Sequence, residues 1–270
     1  MKAVFYITIL FTLFSITANF GQRLHCPDDK CSFQPGDQVY LFGNDVKLRA
    51  TPNTASKVLE LLKIGEWVEI IEKTDFSWPY NGFDSPFYKV KYDDMTGYIL
   101  GGLFSLQRKI LNGIPYFFAY SKEGTTLFLN IRSIRAGTYM VNKVPLANAN
   151  ISIKTMGNLG LKDLDGILYI DYYAEACGME GGGIYFFAHN NTLKKVAQLS
   201  QISDAGIFHR YEKFIFPDDK GGIPEKIRFK KEQKQYLDDK TRWTQTTIET
   251  RQLTWTQGQL IPDFREKMAN

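Results

Sequence analysis

From Val39 to Leu100 the chain alternates apolar and polar positions with the two-residue period of half-buried strands. Val46-Lys47-Leu48 and Trp67-Val68-Glu69-Ile70-Ile71 carry the pattern most clearly. The alternation predicts strands over Val39–Phe42, Val46–Leu48, Val58–Leu62, Trp67–Ile71, Phe87–Tyr92 and Gly97–Leu100. Turn formers separate them: Gly43-Asn44-Asp45, the Arg49–Ser56 loop with Pro52-Asn53 at its tip, Lys63-Ile64-Gly65 and Asp93-Asp94. Short strands packed so densely along the chain are enough to close a small barrel and remove exposed edges.

From Ile114 onward the pattern is again β. Strands are predicted over Tyr116–Tyr120, Thr125–Ile131, Gly137–Val141, Ile167–Tyr172, Gly183–Ala188, Lys194–Leu199, Phe208–Phe216 and Lys226–Lys230. Turn formers at Lys122-Glu123-Gly124, Asp163–Gly166, Glu180–Gly183, Asn190-Asn191 and Asp218–Gly222 divide them. Thr241–Trp255 reads as one long strand, or as a hairpin turning near Gln257-Gly258. The regular spacing of the turn signals predicts an antiparallel sandwich or barrel. No repeat emerges at solenoid or propeller period. The expected fold class is therefore all-β, a small barrel over 37–106 followed by a larger antiparallel β sandwich or barrel over 113–264. Leu106–Asn112 is too short and too apolar for a flexible linker, so the two modules are expected to touch.

The N-terminus changes the picture from fold to destination. Lys2 precedes a nearly unbroken apolar run from Ala3 to Ala18, followed by a polar change at Asn19–Arg23. Residues 1–21 thus read as a signal peptide, with an uncleaved anchor as the alternative. No later stretch is apolar enough to span a bilayer. A polar leader over 22–36 holds Cys26 and Cys31, with four residues between them. In an exported protein these are expected to form a local disulfide, or to remain free thiols. His25, Cys26 and Cys31 lack a fourth ligand nearby, so no metal site is expected. The 33 basic and 29 acidic residues are interspersed, which argues against nucleic acid as a partner. Export, to the periplasm or outside the cell, is the expected location.

One stretch resembles a known family. Leu48-Arg49-Ala50-Thr51-Pro52, Val58, Leu62-Lys63-Ile64-Gly65, Phe87-Tyr88-Lys89-Val90 and Gly97-Tyr98-Ile99 follow, in order and spacing, the pattern of the bacterial SH3-type (SH3b) domain. The likeness covers residues 37–106. It departs at Thr51, where glycine is frequent, and at Thr74–Pro86, an insertion into a loop that is usually short. The resemblance implies an SH3-like barrel serving as a cell-wall or peptide-binding module, and makes Tyr98 a candidate contact.

The insertion holds Phe76, Trp78, Tyr80 and Phe83, four rings suited to stacking on a sugar or an extended peptide, or to tucking back onto the barrel. In the second half, alternation places Tyr169, Asp171 and Tyr173 on one strand face and Leu168, Ile170 and Tyr172 on the other. Catalysis finds little footing. Cys177 lies between predicted strands, away from the helix N-terminus that activates thiolates, with His189 and His209 as the histidines of this half. Asp163, Asp165, Asp171, Glu175 and Glu180 are mostly turn residues beside glycines, and the Gly181–Gly183 run lacks phosphate-loop spacing. The sequence points to an exported, non-enzymatic binding protein without a cofactor, its partner a cell-wall peptide or an envelope protein. A cell-envelope hydrolase using Cys177 or the 163–180 carboxylates is the alternative. A purely structural protein is the third reading.

Overall fold

The computed structural model describes residues 32–135, 138–173, 178, 180–204, 207–237 and 243–265. The signal peptide, Cys26, Cys31, Glu175 and Cys177 lie outside the described residues, and so does the expected disulfide. Among the described residues the chain is all-β and antiparallel, with one short 3₁₀ turn at Gly101–Leu103.

The first six strands are β1 (Gln38–Tyr40), β2 (Val46–Arg49), β3 (Val58–Leu62), β4 (Trp67–Tyr80), β5 (Phe83–Tyr92) and β6 (Met95–Leu100). They form one sheet in the order β1-β4-β5-β6-β2-β3, curled into a half-barrel. Its core follows from the alternation: Val46 and Leu48 are buried while Lys47 between them is exposed. Phe33, Tyr88 and Phe104 meet edge to face at its centre, with ring centroids 5.2 to 5.7 Å apart.

A second sheet holds β7 (Arg108–Leu111), β8 (Ile114–Glu123), β9 (Thr126–Arg135) and β10 (Thr138–Leu146) in the order β10-β9-β8-β7. A third runs in strict chain order through β11 (Ile151–Met156), β12 (Gly166–Tyr172), β13 (Glu180–His189), β14 (Thr192–Asp204), β15 (Phe208–Ile215), β16 (Ile227–Tyr236), β17 (Thr244–Thr256) and β18 (Gln259–Ile261). The hairpin at Gln257-Gly258 is present, pairing Thr256 with Gln259.

The expected sandwich describes only the first part of this half. The inner face of β8–β10, with Phe118, Leu129, Ile131 and Val144, packs on Ile153, Leu168, Ile170 and Phe186 of β11–β13. Beyond that the large sheet is not covered by a second sheet. Its opposite face builds its own core from Ile167, Phe187, Phe214, Phe229, Leu253 and Trp255, sealed by Leu161 and Leu164 of a loop and Phe264 of the tail. β12 and β13 therefore bury both faces, which explains their nearly continuous apolar sequence.

The Gly181–Gly183 run also differs from expectation, because it lies inside β13 rather than in a turn. Small residues are required there. A Cβ on Gly183 would lie 2.2 Å from the Tyr169 ring, and one on Gly182 (φ 132°) 2.1 Å from the Leu199 carbonyl oxygen.

The half-barrel and the second sheet share a seam. Phe42, Phe117 and Ala119 form a small core with Tyr40, Ile64 and Ile134. Ser105, fully buried, has an Oγ that donates to the Gln107 carbonyl at 2.6 Å and accepts from the Phe118 amide at 2.9 Å. The Ser105 amide donates to Tyr40 O at 2.7 Å, and the Leu106 amide to Phe118 O at 2.8 Å. These hydrogen bonds, made by backbone and hydroxyl groups of both units, hold the seam in one relative placement.

Candidate functional site

The insertion Thr74–Pro86 is a β-hairpin, where the sequence suggests a loop. β4 and β5 run on past the half-barrel and pair Ser77 with Pro86, Trp78 with Ser85, Pro79 with Asp84 and Tyr80 with Phe83. Asn81 (φ 51°) and Gly82 (φ 83°) close it as a two-residue turn with both residues left-handed, the geometry that matches strand twist. Pro79 and Pro86 lack an amide hydrogen, yet both are tolerated because neither arm has a second neighbour here. β1 reaches β4 only at Trp67–Glu69, and β6 reaches β5 only from Phe87 onward. Between Lys73 and Ser77 the register shifts, a bulge that inserts extra residues into β4. The Thr74 hydroxyl donates to Phe87 O at 2.9 Å and ties it down.

The hairpin rests on the body of the protein. The Lys122 amide donates to Asn81 O at 2.8 Å, and the Gly102 amide donates to Ser85 Oγ at 2.7 Å. A Cβ on Gly82 would come within 2.2 Å of the Lys122 carbonyl oxygen. Gly82→Val is therefore expected to lift the tip off β8. Hydrogen exchange at the Lys122 amide would accelerate, while amides of the half-barrel core at Val68 and Val90 would keep their protection.

The four rings of the insertion split between two roles. Phe76 and Trp78 stand in solvent, 63% and 52% exposed. Tyr80 and Phe83 turn inward and line a cleft of about 410 Å³ with Phe33, Tyr88, Phe104 and Tyr120. Lys73, Asp84 and Ser85 also line it, so the cleft is mainly aromatic with a few polar groups. Burial raises the phenols of Tyr80, Tyr88 and Tyr120; the Arg132 cation pulls Tyr80 part of the way back. These phenols are neutral donors at physiological pH, and the Tyr120 hydroxyl donates to Ala149 O at 2.9 Å. An apolar or aromatic group with one or two hydrogen-bonding atoms suits such a space.

Tyr98 does not join this group. It is half-buried on β6 opposite Lys89, six positions along β5 from Phe83, roughly 20 Å at strand rise. Ser85 and Tyr120 were not singled out from sequence, although the Asn81-Gly82 dipeptide between aromatic runs is a hairpin signal that places Ser85.

Of the candidate catalytic groups, Glu175 and Cys177 lie outside the described residues, and Asp163 and Asp165 stand apart from Asp171. Asp163 and Asp165 precede β12, whereas Asp171 lies near its far end, again about 20 Å of strand away, too far for a glycosidase carboxyl pair. Asp171 accepts from Lys154 Nζ at 2.8 Å and from the Tyr169 hydroxyl at 3.4 Å. The Tyr169 ring, half-buried, packs on Tyr185 at 4.5 Å, so it is no open platform; Tyr173 is the exposed member of its face. Both nitrogens of His189 are engaged. Nδ1 donates to Asp163 O and Nε2 accepts from Asn190 Nδ2 at 3.0 Å, which fixes the tautomer. His209 stacks on Tyr211 at 6.4 Å. Among the described residues no three of His, Cys, Asp and Glu converge as metal ligands, and no helix is long and apolar enough to cross a membrane.

No family model, curated protein or solved structure matches this chain.

Proposed function

We propose that this is an exported, non-enzymatic binding protein whose SH3b-like half-barrel docks on a cell-envelope component, a peptidoglycan peptide or an envelope protein. The observation that supports it best is the hairpin. It carries two large rings into solvent while anchoring itself at both its base and its tip. Large apolar side chains held outward on an ordered element are costly to keep without use, and they are the usual anchors of a binding surface. The aromatic cleft beneath the hairpin offers a second contact for the same ligand. Export rests on the apolar N-terminal run, and the family assignment on the spacing of its five sequence pieces.

The test is retention of the mature chain (22–270) on purified peptidoglycan sacculi, beside a Phe76→Ser, Trp78→Ser variant. Both positions are exposed, so the variant should change stability by no more than about 0.5 kcal/mol. Retention of the parent and loss of the variant is the expected result. Equal retention of both would move the surface elsewhere, and retention of neither would end the cell-wall form of the proposal.

A further inference from the structure

The outer face of the second sheet is only half used by the seam. Directly opposed residues on paired strands share a face, so Phe117, Ala119 and Ser121 of β8 line up with Phe128, Asn130 and Arg132 of β9 and with Tyr139, Val141 and Lys143 of β10. Phe117 and Ala119 are covered by the half-barrel. Ser121, Asn130, Arg132, Val141 and Lys143 of this face form the floor of an open groove of about 300 Å³, walled on one side by Tyr80, Asn81 and Gly82 of the hairpin tip.

Arg132 is the central charge of that groove. Its Nη1 donates to Phe42 O at 2.7 Å, and its guanidinium carbon lies 4.3 Å from the Phe42 ring centroid and 4.8 Å from that of Tyr139. Two rings and a carbonyl thus hold the guanidinium plane in place. Its Nε is buried without a hydrogen-bond partner, and no carboxylate pairs with it among the described residues. The nearby Glu123 is occupied by Lys143, whose ammonium also lies 4.2 Å from the Phe128 ring. Lys143 and Arg132 against Glu123 leave the groove face net positive. The Nε is closed to solvent, but the guanidinium charge has no carboxylate partner among the described residues, and an ionised oxygen is its natural complement.

The neighbouring strand says what kind of molecule would bring that oxygen. β10 is the edge of its sheet. Pro145 has no amide hydrogen, and in an edge strand its nitrogen belongs on the unpaired side. Backbone groups of one parity point the same way in an antiparallel strand, so Val141 and Lys143 present their amides and carbonyls outward. An extended chain added there would place side chains opposite Val141 on the groove face. It would stand two strand spacings from Arg132, about 10 Å between backbones, which an arginine and a glutamate span together.

We propose that this groove is a carboxylate-binding site for an extended acidic peptide, which pairs with the outer edge of β10 and sets a side-chain carboxylate on Arg132. A single guanidinium beside Glu123 suits a monoanion better than a phosphate dianion. The site requires only the groove, and goes beyond the cell-wall reading of the hairpin.

The probe is N-acetylated, C-amidated tetraglutamate, titrated into the mature chain by calorimetry, with tetraglutamine and inorganic phosphate as comparisons. Tetraglutamine and phosphate are each expected to bind at least about tenfold more weakly, as is tetraglutamate to the Arg132→Gln variant. Because that variant also loses the Phe42 contact, Val141→Glu supplies an independent arm. Its position is 52% exposed, so the fold should be kept while the added charge repels the ligand, again by tenfold or more. Absence of tetraglutamate binding to the parent would overturn the proposal, as would unchanged affinity in either variant, or phosphate binding as tightly as the peptide. Sacculus retention reads the hairpin separately: tetraglutamate binding without retention would remove the cell-wall reading alone, and retention without tetraglutamate binding would remove this one alone.

Discussion

Above pH 10 this protein is expected to lose stability steeply and to unfold cooperatively. Burial pushes the phenols of Tyr120, Tyr169 and Tyr185 far up; Tyr169 is raised further by Tyr185 and Asp171, and Tyr185 by Tyr211. Tyr88, Tyr116 and Tyr172 are raised by burial as well. In an unfolded chain a phenol ionises near pH 10. Below that pH the phenols are neutral in both states, and the stability their burial permits is fully present. Above it the unfolded chain releases protons that the folded chain still holds, so stability falls with pH. The slope is about 1.4 kcal/mol per pH unit for each such phenol, or about 4 for the three most strongly shifted together. Against a typical total of about 5–15 kcal/mol, that places the transition within a few pH units of 10.

Far-ultraviolet circular dichroism and tyrosinate absorbance, followed together through the alkaline range, check this. The expected result is a tyrosinate rise whose last phase, from the buried phenols, is steep and coincides with loss of β signal. A gradual rise centred near pH 10 with the β signal intact would show that these rings are open to solvent.

Much of the half-barrel was legible because strands such as β2, β5 and β6 have one buried face, although β3 is exposed except at Leu62. Val46-Lys47-Leu48 announces its own orientation, and Lys63-Ile64-Gly65 and Asp93-Asp94 mark turns whose positive-φ residues, Gly65 and Asp93, are visible as residue types. β11 (Ile151–Met156) was not predicted, and two further elements were missed for one shared reason. Asn81-Gly82 and Asn112-Gly113 are both left-handed pairs closing tight hairpins. The first was hidden inside an apparent loop by Pro79, Pro86 and the bulge after Lys73, which break the alternation. The second turned a supposed junction into β7. In both, the Asn-Gly dipeptide was the informative signal and the periodicity was not.

The site was legible only in its ingredients. Phe76, Trp78, Tyr80 and Phe83 lie on one hairpin, and which of these rings face outward depends on a bulge and on the contact between Asn81 and Lys122. Arg132 carried no signal at all. It is one basic residue in an alternating strand, and its setting is made by Phe42, distant in sequence, together with Tyr139 across a hairpin. The glycine run misled because glycine serves both turns and close approaches; only the Tyr169 ring lying across Gly183 decides between them.

The third sheet makes a sharper demand on side chains than an ordinary antiparallel sheet, and the two adjacent phenylalanines of β13 expose it. Phe186 and Phe187 point to opposite faces, yet they are 1% and 0% exposed. Phe186 belongs to the core shared with the second sheet, and Phe187 to the core behind it, where its ring meets Trp255 edge to face at 5.0 Å. Phe186→Ala and Phe187→Ala are each expected to cost about 3–5 kcal/mol, read as similar shifts in urea midpoint at unchanged slope. A strand with one wet face would give one such loss beside a change of about 0.5 kcal/mol or less. A near-neutral Phe187→Ala would mean that the loop at Leu161 and Leu164 and the tail at Phe264 do not close the second core. Equal losses would establish that the large sheet, lacking a second sheet over most of its width, is held by what its own loop and tail fold back to cover.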